Sequence, residues 1–462
     1  MRPPIYFIVS VVLLVLVLGV VALHARPPAP SPVSPQASPA AQPTVLWERD
    51  TSLSQTVQPL NDRVLVADKN TVQAFDPLTG ETLWQASLAD GKRISTLLPA
   101  GAAVVAVVRE SRPDVDSISL HALDPATGER QWSADGYLDP IDSGVKPFVT
   151  PNHLYVGDTR NTLRALNIET GAVEWEVGLG ERVYLRPLAR DGLVFYTLQD
   201  GSLVGADDRT GQPVWTTPIE DGITAILDRR AQREVYKGFA QDGLLVVWDD
   251  AYLKQTLAAS GRSPVLRAFD ARTGRRLWTS PYTPHYDSPL LRDQDHLYSM
   301  TWASPAPPHL YALDVTDGRV RFDKVLARET GEKVKVNNGP WEPVLEPAGY
   351  PATVIGETLV LNGNLATIYG LDRHSGETQW TQAGGTSYYR QTVIRGEVGY
   401  FAFRDADMSR INASSLRAID LKTGRVLWSL TDQGGRYYEL YATDRALIVR
   451  GLRKLVALRW PD

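Results

Sequence analysis

The chain has 462 residues, 43% hydrophobic and 22% charged, with a formal net charge of −5 at pH 7. That is enough apolar material for a large packed domain, and the acidic balance, with no block of Lys or Arg, excludes the electrostatic footprint of a nucleic-acid binder. It contains no cysteine, which excludes a disulfide framework, a thiolate metal site and a lipidated N-terminal Cys.

The first element is an almost unbroken apolar run from Ile5 to Ala25. As a helix it would span about 30 Å, the thickness of a hydrocarbon core. A cleavable signal usually has an apolar core of about 7 to 15 residues and a small-x-small exit. Here the run is longer and the exit is Leu23-His24-Ala25, so residues 1–26 are expected to form an uncleaved signal-anchor helix. Arg2 and Arg26 flank it almost symmetrically, and charge therefore orients it only weakly. Residues 27–43 follow as a Pro, Ala and Ser tract with no means of building a core. Extended as polyproline, this spacer could hold the rest of the chain up to roughly 50 Å from a membrane.

Residues 44–462 are expected to form one domain built on a repeat. A small residue and an apolar one are followed by Asp-x-x-Thr-Gly and then by Trp four residues past the Gly, as in Ala74-Phe75-Asp76-Pro77-Leu78-Thr79-Gly80-Glu81-Thr82-Leu83-Trp84. Similar phrases are centred on Asp124, Asn167, Asp207, Asp270, Asp314, Asp372 and Asp420. A period of roughly 40 to 60 residues carrying several short strands marks a β-propeller of four-stranded blades. The Asp and Thr side chains can accept hydrogen bonds from amides just ahead of them, and Gly supplies the positive φ of a tight reversal. The phrase is thus the turn between the two outer strands of a blade. The Trp that follows is expected to fill the widening gap between neighbouring blades rather than to hold a cofactor.

An orphan outer strand, Val45-Leu46-Trp47-Glu48, precedes the first phrase, and two strand-like runs, 445–449 and 454–458, follow the last with no outer strand of their own. The two ends are expected to complete one blade and so close the ring without leaving open sheet edges. Eight phrases and a shared closing blade make nine by arithmetic. The sixth is irregular, with Thr316-Asp317-Gly318 inside it and Phe322 in the Trp slot, and ring geometry favours few, similar counts. Eight blades are expected, with nine as the alternative.

Beyond the repeat, the sequence is distinguished by its irregular connections. They include Asp228 to Glu234, the stretch from Lys324 to Pro351, and Trp302-Ala303-Ser304-Pro305-Ala306-Pro307-Pro308. Long loops on a rigid scaffold commonly carry binding. Trp302 and Trp341 lie outside the repeated Trp slot and are the candidate partner-facing residues. No catalytic or metal set emerges. Asp114-Val115-Asp116 and Asp405-Ala406-Asp407 lack the remainder of a calcium loop, and no His-Glu-x-x-His or Gly-x-Ser-x-Gly phrase occurs. The seven His residues, His285, His296 and His309 among them, are expected to be scattered over the surface. Asn412-Ala413-Ser414 matches a glycosylation acceptor.

The repeated Ala-x-Asp-x-x-Thr-Gly-x-x-x-Trp resembles that of the pyrroloquinoline-quinone-like (PQQ-like) β-propellers, and the resemblance covers residues 44–462. That superfamily includes quinoprotein dehydrogenases, the non-catalytic lipoprotein of the outer-membrane barrel-assembly machinery, and sensor domains. The resemblance implies the fold, while chemistry has to be argued from a site. Many quinoprotein alcohol dehydrogenases stack the quinone on adjacent disulfide-bonded cysteines, of which this chain has none. They also use Ca²⁺ and an Asp base, for which no equivalent set stands out. The expectation is a non-catalytic, membrane-anchored, extracytoplasmic propeller that needs no cofactor and binds a protein or envelope component through its loops. The alternatives are a dehydrogenase that takes PQQ and calcium, and an extracytoplasmic ligand sensor.

Overall fold

The computed structural model describes residues 43–460, apart from 53–54, 89–91, 112–115, 139–146, 158–161, 181–186, 199, 220–235, 250–264, 283–289, 302–308, 336–340, 348, 364–366, 384–386, 405–413, 433–436 and 452. The expected signal-anchor and nearly all of the Pro-rich spacer lie outside the described residues. Among those residues no helix is long and apolar enough to cross a membrane.

Nine four-stranded antiparallel sheets follow one another along the chain, and a two-stranded sheet stands apart from them. Blades 1 to 8 occupy residues 56–87, 93–138, 148–178, 188–218, 236–280, 291–325, 349–383 and 387–432. Blade 9 combines strands Tyr437–Ala442, Ala446–Gly451 and Lys454–Arg459 with Val45–Asp50, which pairs antiparallel with Lys454–Arg459. The expected closure by the N-terminal strand is therefore present.

The expected count of eight is corrected to nine. Each of the eight phrases makes the outer turn of its own blade, and the closing blade is a ninth sheet. The irregular sixth phrase belongs to a complete blade. Phe322 fills the Trp position there, and a Cβ added to Gly376 of the next blade would lie 2.7 Å from its ring.

Apolar side chains are distributed over nine clusters, one at each junction between consecutive blades, rather than in one central core. At the closing junction, Val57, Val64, Val66 and Phe75 of blade 1 pack on Ala446, Ile448, Leu455 and Ala457 of blade 9. Burial follows from position in the sheet. The second strand of a blade is covered on both faces, so His153–Gly157 and Ala446–Gly451 are buried along their whole length. The outermost strand is not, and Thr82–Ser87 and Val173–Gly178 alternate between half-buried and exposed residues.

The phrase has two structural functions. Asp76 Oδ1 accepts from the amides of Leu78 and Thr79 at 2.7 and 2.9 Å, and the Gly80 amide returns to the Asp76 carbonyl at 2.9 Å. Gly80 has φ +71°, as a tight reversal demands. The same Gly is also the seat for the preceding blade's aromatic ring. A Cβ added to Gly128 would lie 2.4 Å from Trp84 Cε3, so no larger residue fits without displacing the indole. At six junctions the indole N–H then donates to the carbonyl just after the next blade's Asp, whereas Trp380, seated on Gly424, and Trp428 make no such bond. Trp84 reaches Pro125 at 2.9 Å, Trp132 reaches Ile168 at 3.1 Å, and Trp278 reaches Val315 at 3.0 Å. The aromatic ring is thus an inter-blade strut, and the pattern recurs because every junction has the same gap to fill.

Candidate interaction face

Strand direction divides the ring into two unlike faces. Within a blade the four strands run alternately up and down, so the turns joining strands one to two and three to four lie on one face. The turns joining two to three, and the link to the next blade, lie on the other. On the first face every connection between described strands is short: two to four residues for the inner turns, such as 101–102 and 356–357, and five or six for the phrase turns. We call it the turn face. The opposite, loop face receives all the length variation. Its connections include 250–265, 301–308 and 405–413 within blades, and 219–235 and 326–348 between them. The strand Val45–Asp50 enters from the turn face, since Val45 pairs with Leu458 and the Thr44 carbonyl accepts from Arg459 N at 2.9 Å.

Of the two candidate aromatics, only Trp341 falls among the described residues. Trp302 lies outside the described residues, as do 228–234, Asp114-Val115, Asp405 to Asp407 and Asn412. Trp341 opens the strand Trp341–Pro347, which pairs with Ala327–Lys335 in the two-stranded sheet and belongs to no blade. The segment read from sequence as a loop expansion is therefore a hairpin inserted between blades 6 and 7. A β-bulge interrupts its register between Glu329 and Lys333. Nothing in the nine-blade ring requires it.

The turn face holds polar clusters that sequence reading missed. His153 is 2% exposed and His296 5% exposed, and His121 is buried as well, so these three are not the surface histidines expected. At the junction of blades 3 and 4, His153 Nε2 meets Glu174 at 2.7 Å and its Nδ1 lies 3.4 Å from Asp208. Asp208 is buried, and its carboxylate also accepts from Tyr155 at 2.5 Å, Thr150 at 3.1 Å and Asn152 at 2.6 Å. The Asn167 and His153 contacts hold the Glu174 carboxyl below its usual value, while burial and the Asp208 hydrogen bond push the Tyr155 hydroxyl far up. Burying a carboxylate is costly unless its hydrogen bonds are met, and here four side chains meet them. The signal was present in the sequence as the polar residue at position 208, where most phrases have an apolar one.

A related cluster lies between blades 6 and 7. Asp293 accepts from Tyr298 at 2.8 Å and from Arg373 at 2.9 Å, and Arg373 also reaches Glu357 at 3.2 Å. Asp314 is held far below the usual carboxylate range: burial opposes this, but hydrogen bonds from Thr316 and Arg321 prevail. Among the described residues no group of three or more His, Asp or Glu side chains is arranged to hold a metal ion.

The fold and the repeat together define a nine-bladed propeller of the PQQ-like class with an elaborated loop face. A protein-family model described as outer membrane protein assembly factor BamB matches residues 37–118, 115–249 and 262–456, and the chain belongs to that PQQ-like repeat family. It is 22% identical over 341 residues to outer membrane protein assembly factor BamB of Shewanella oneidensis, covering 71% of this chain and 77% of that protein. The BamB of Vibrio cholerae is 29% identical over 289 residues, covering 51% of this chain and 69% of that protein. The crystal structure of BamB from Moraxella catarrhalis aligns over 91% of this chain and 98% of that one, at 17% identity and a TM-score of 0.47.

Proposed function

We propose that this chain is a non-catalytic scaffold of outer membrane protein assembly, anchored by its N-terminal segment, that holds a protein partner against its loop face on the extracytoplasmic side. The observation that carries this reading is the segregation of the ring into a uniform turn face and an elaborated loop face. Catalysis needs a converging set of side chains, whereas a docking scaffold needs a rigid frame and a surface free to vary. The approach of Val45–Asp50 from the turn face supports the orientation: a tether attached there leaves the loop face directed away from the membrane. Family membership supports the class of process, through the relatives' names. Trp302 and Trp341 are the aromatic contacts this reading nominates.

The test is to replace residues 327–347 by a short Gly-Ser link in the full chain and compare partner capture by cross-linking in intact cells. Loss of the cross-linked species with an unchanged melting temperature is expected, and undiminished capture would remove the hairpin from the interface. The enzymatic alternative is tested on the same protein by calorimetric titration with PQQ and Ca²⁺ beside a dye-linked oxidation assay. Saturable one-to-one binding with turnover would replace the scaffold reading.

A further inference from the structure

The junctions between blades 3 and 4 and between blades 6 and 7 are built on the same positions. His153 pairs with Asn167 and Tyr155 with Ala165, as His296 pairs with Asp314 and Tyr298 with Ala312. Both tyrosine hydroxyls, which donate to a carboxylate, also lie close to the carbonyl after the next blade's Asp, Tyr155 3.2 Å from that of Asp208 and Tyr298 3.1 Å from that of Arg373. The side chains around the histidine are exchanged, however. Arg321 stands where Glu174 stands, immediately before the ring that docks on the next blade, and Arg373 stands where Asp208 stands.

The exchange leaves one histidine hydrogen-bonded and the other with no hydrogen bond from its ring among the described residues. His153 has an acceptor at each ring nitrogen. His296 Nδ1 is buried and makes no hydrogen bond, with Asp293 Oδ1 3.5 Å away, and its Nε2 has no hydrogen-bond partner among the described residues. An imidazole so buried normally has a partner, because an unmet polar atom costs about 1–3 kcal/mol. Beside it lies a cavity of about 430 Å³ lined by His296, His374, Asp295, Asp314 and Arg321. The two imidazole rings meet edge to face, 5.3 Å apart.

We propose that this cavity binds a single organic cation, an alkylammonium or guanidinium group. The groups still available are acceptors. Arg321 is committed to Asp314 through both Nε and Nη2, and Arg373 to Asp293 and Glu357. Asp295 is the least engaged carboxylate, 3.9 Å from Arg373 and 55% exposed, and one His296 nitrogen adds a lone pair. The lining carries two carboxylates, Asp295 and Asp314, against the single guanidinium of Arg321, so the local field favours a cation over an anion. The ligand's N–H groups would supply His296 with the partner it lacks and pair with Asp295, across the edge of the His374 ring. This site lies on the turn face, away from the proposed docking face, and does not depend on that reading.

The test uses the full chain with ¹⁵N-labelled histidine, titrated with ethylammonium and ethylguanidinium and, separately, with acetate. The His296 signal, assigned with His296→Gln, should shift saturably with the cations at a dissociation constant on the order of 1–10 mM, as befits one partly exposed ion pair. Asp295→Asn, at an exposed position that does not endanger folding, should weaken this by about five-fold or more, while the His153 signal stays fixed. No shift with either cation, saturation by acetate instead, or undiminished binding by Asp295→Asn would each overturn the proposal. A blocked Gly-Arg-Gly peptide and its citrulline counterpart then distinguish the sources. Tighter binding of the Arg peptide than of ethylguanidinium identifies a protein side chain, and equal or weaker binding a small free cation.

Discussion

The turn face and the loop face are made by the same strands yet obey different constraints. On the turn face each connection fits a neighbour: Gly128 leaves room for Trp84, Pro125 accepts its indole N–H, and Asp208 ties Tyr155, Thr150 and Asn152 of the previous blade to its own. A residue gained or lost there would shift a strut that two blades share. On the loop face the hairpin Ala327–Lys335 and Trp341–Pro347 adds strands to no blade, so its length is free of the ring's geometry. Rigidity has been concentrated on one face and variation on the other, which is the arrangement a scaffold requires.

Perturbing the rigid side should therefore cost stability, and perturbing the other should not. The largest effect is expected from deleting residues 44–50, which unpairs the edge of Lys454–Arg459 and removes Trp47 from its seat on Gly80. Loss of about 4 kcal/mol or more is expected in chemical denaturation, and an unchanged midpoint would refute closure by this strand. Asp208→Ala comes next, at about 3 kcal/mol, because it strips several buried donors of one acceptor. Gly128→Ala should cost about 2 kcal/mol, the sum of a left-handed backbone and a ring forced off its seat. If Gly128→Ala proved neutral, the seat would not be as tight as the geometry shows.

The smallest effect concerns protons. Hydrogen bonds from the amide and hydroxyl of Ser375 hold the Asp372 carboxyl below its usual value, and the Thr210 hydroxyl does the same for Asp207. A carboxyl whose folded value is depressed contributes stability above its unfolded value, near pH 4, and loses that contribution as pH falls through the folded value. Melting temperature should thus be flat from pH 7 to about pH 5 and decline below about pH 4. Asp372→Asn should change stability at pH 7 by less than about 1 kcal/mol and soften the acid decline. Blade 3 already uses Asn167 in this turn, where its Oδ1 accepts from Glu169 and Thr170 at 2.9 and 3.0 Å. A steeper acid decline in the Asn variant would contradict the assignment.

Much of this architecture is legible in the sequence. The eight phrases, their turn chemistry, the aromatic ring at each junction and the closing strand are local patterns, repeated because every junction poses the same packing problem. The ninth blade was present in the arithmetic too; the irregular phrase at Asp314 obscured it, although Phe322 performs most of what Trp does and lacks only the N–H. The hairpin at 327–347 was visible as surplus length but not as paired strands, since Thr330, Gly331 and Pro340 interrupt any simple alternation.

The histidine clusters were not legible. His153 and Asp208 are 55 residues apart, and Asp293 and Arg373 are 80 apart, so the polar residues at 208 and 373 stand out from the phrase without showing what they meet. The sequence by itself determined the repeat, the turn and the closure, because these depend on backbone conformation and on near neighbours along the chain. Which face carries the variation, which histidines are buried, and that His296 lacks the hydrogen bonds His153 makes depend instead on the assembled ring. Those properties arise when strand ends and side chains from separate blades meet at a junction, and no local pattern encodes that meeting.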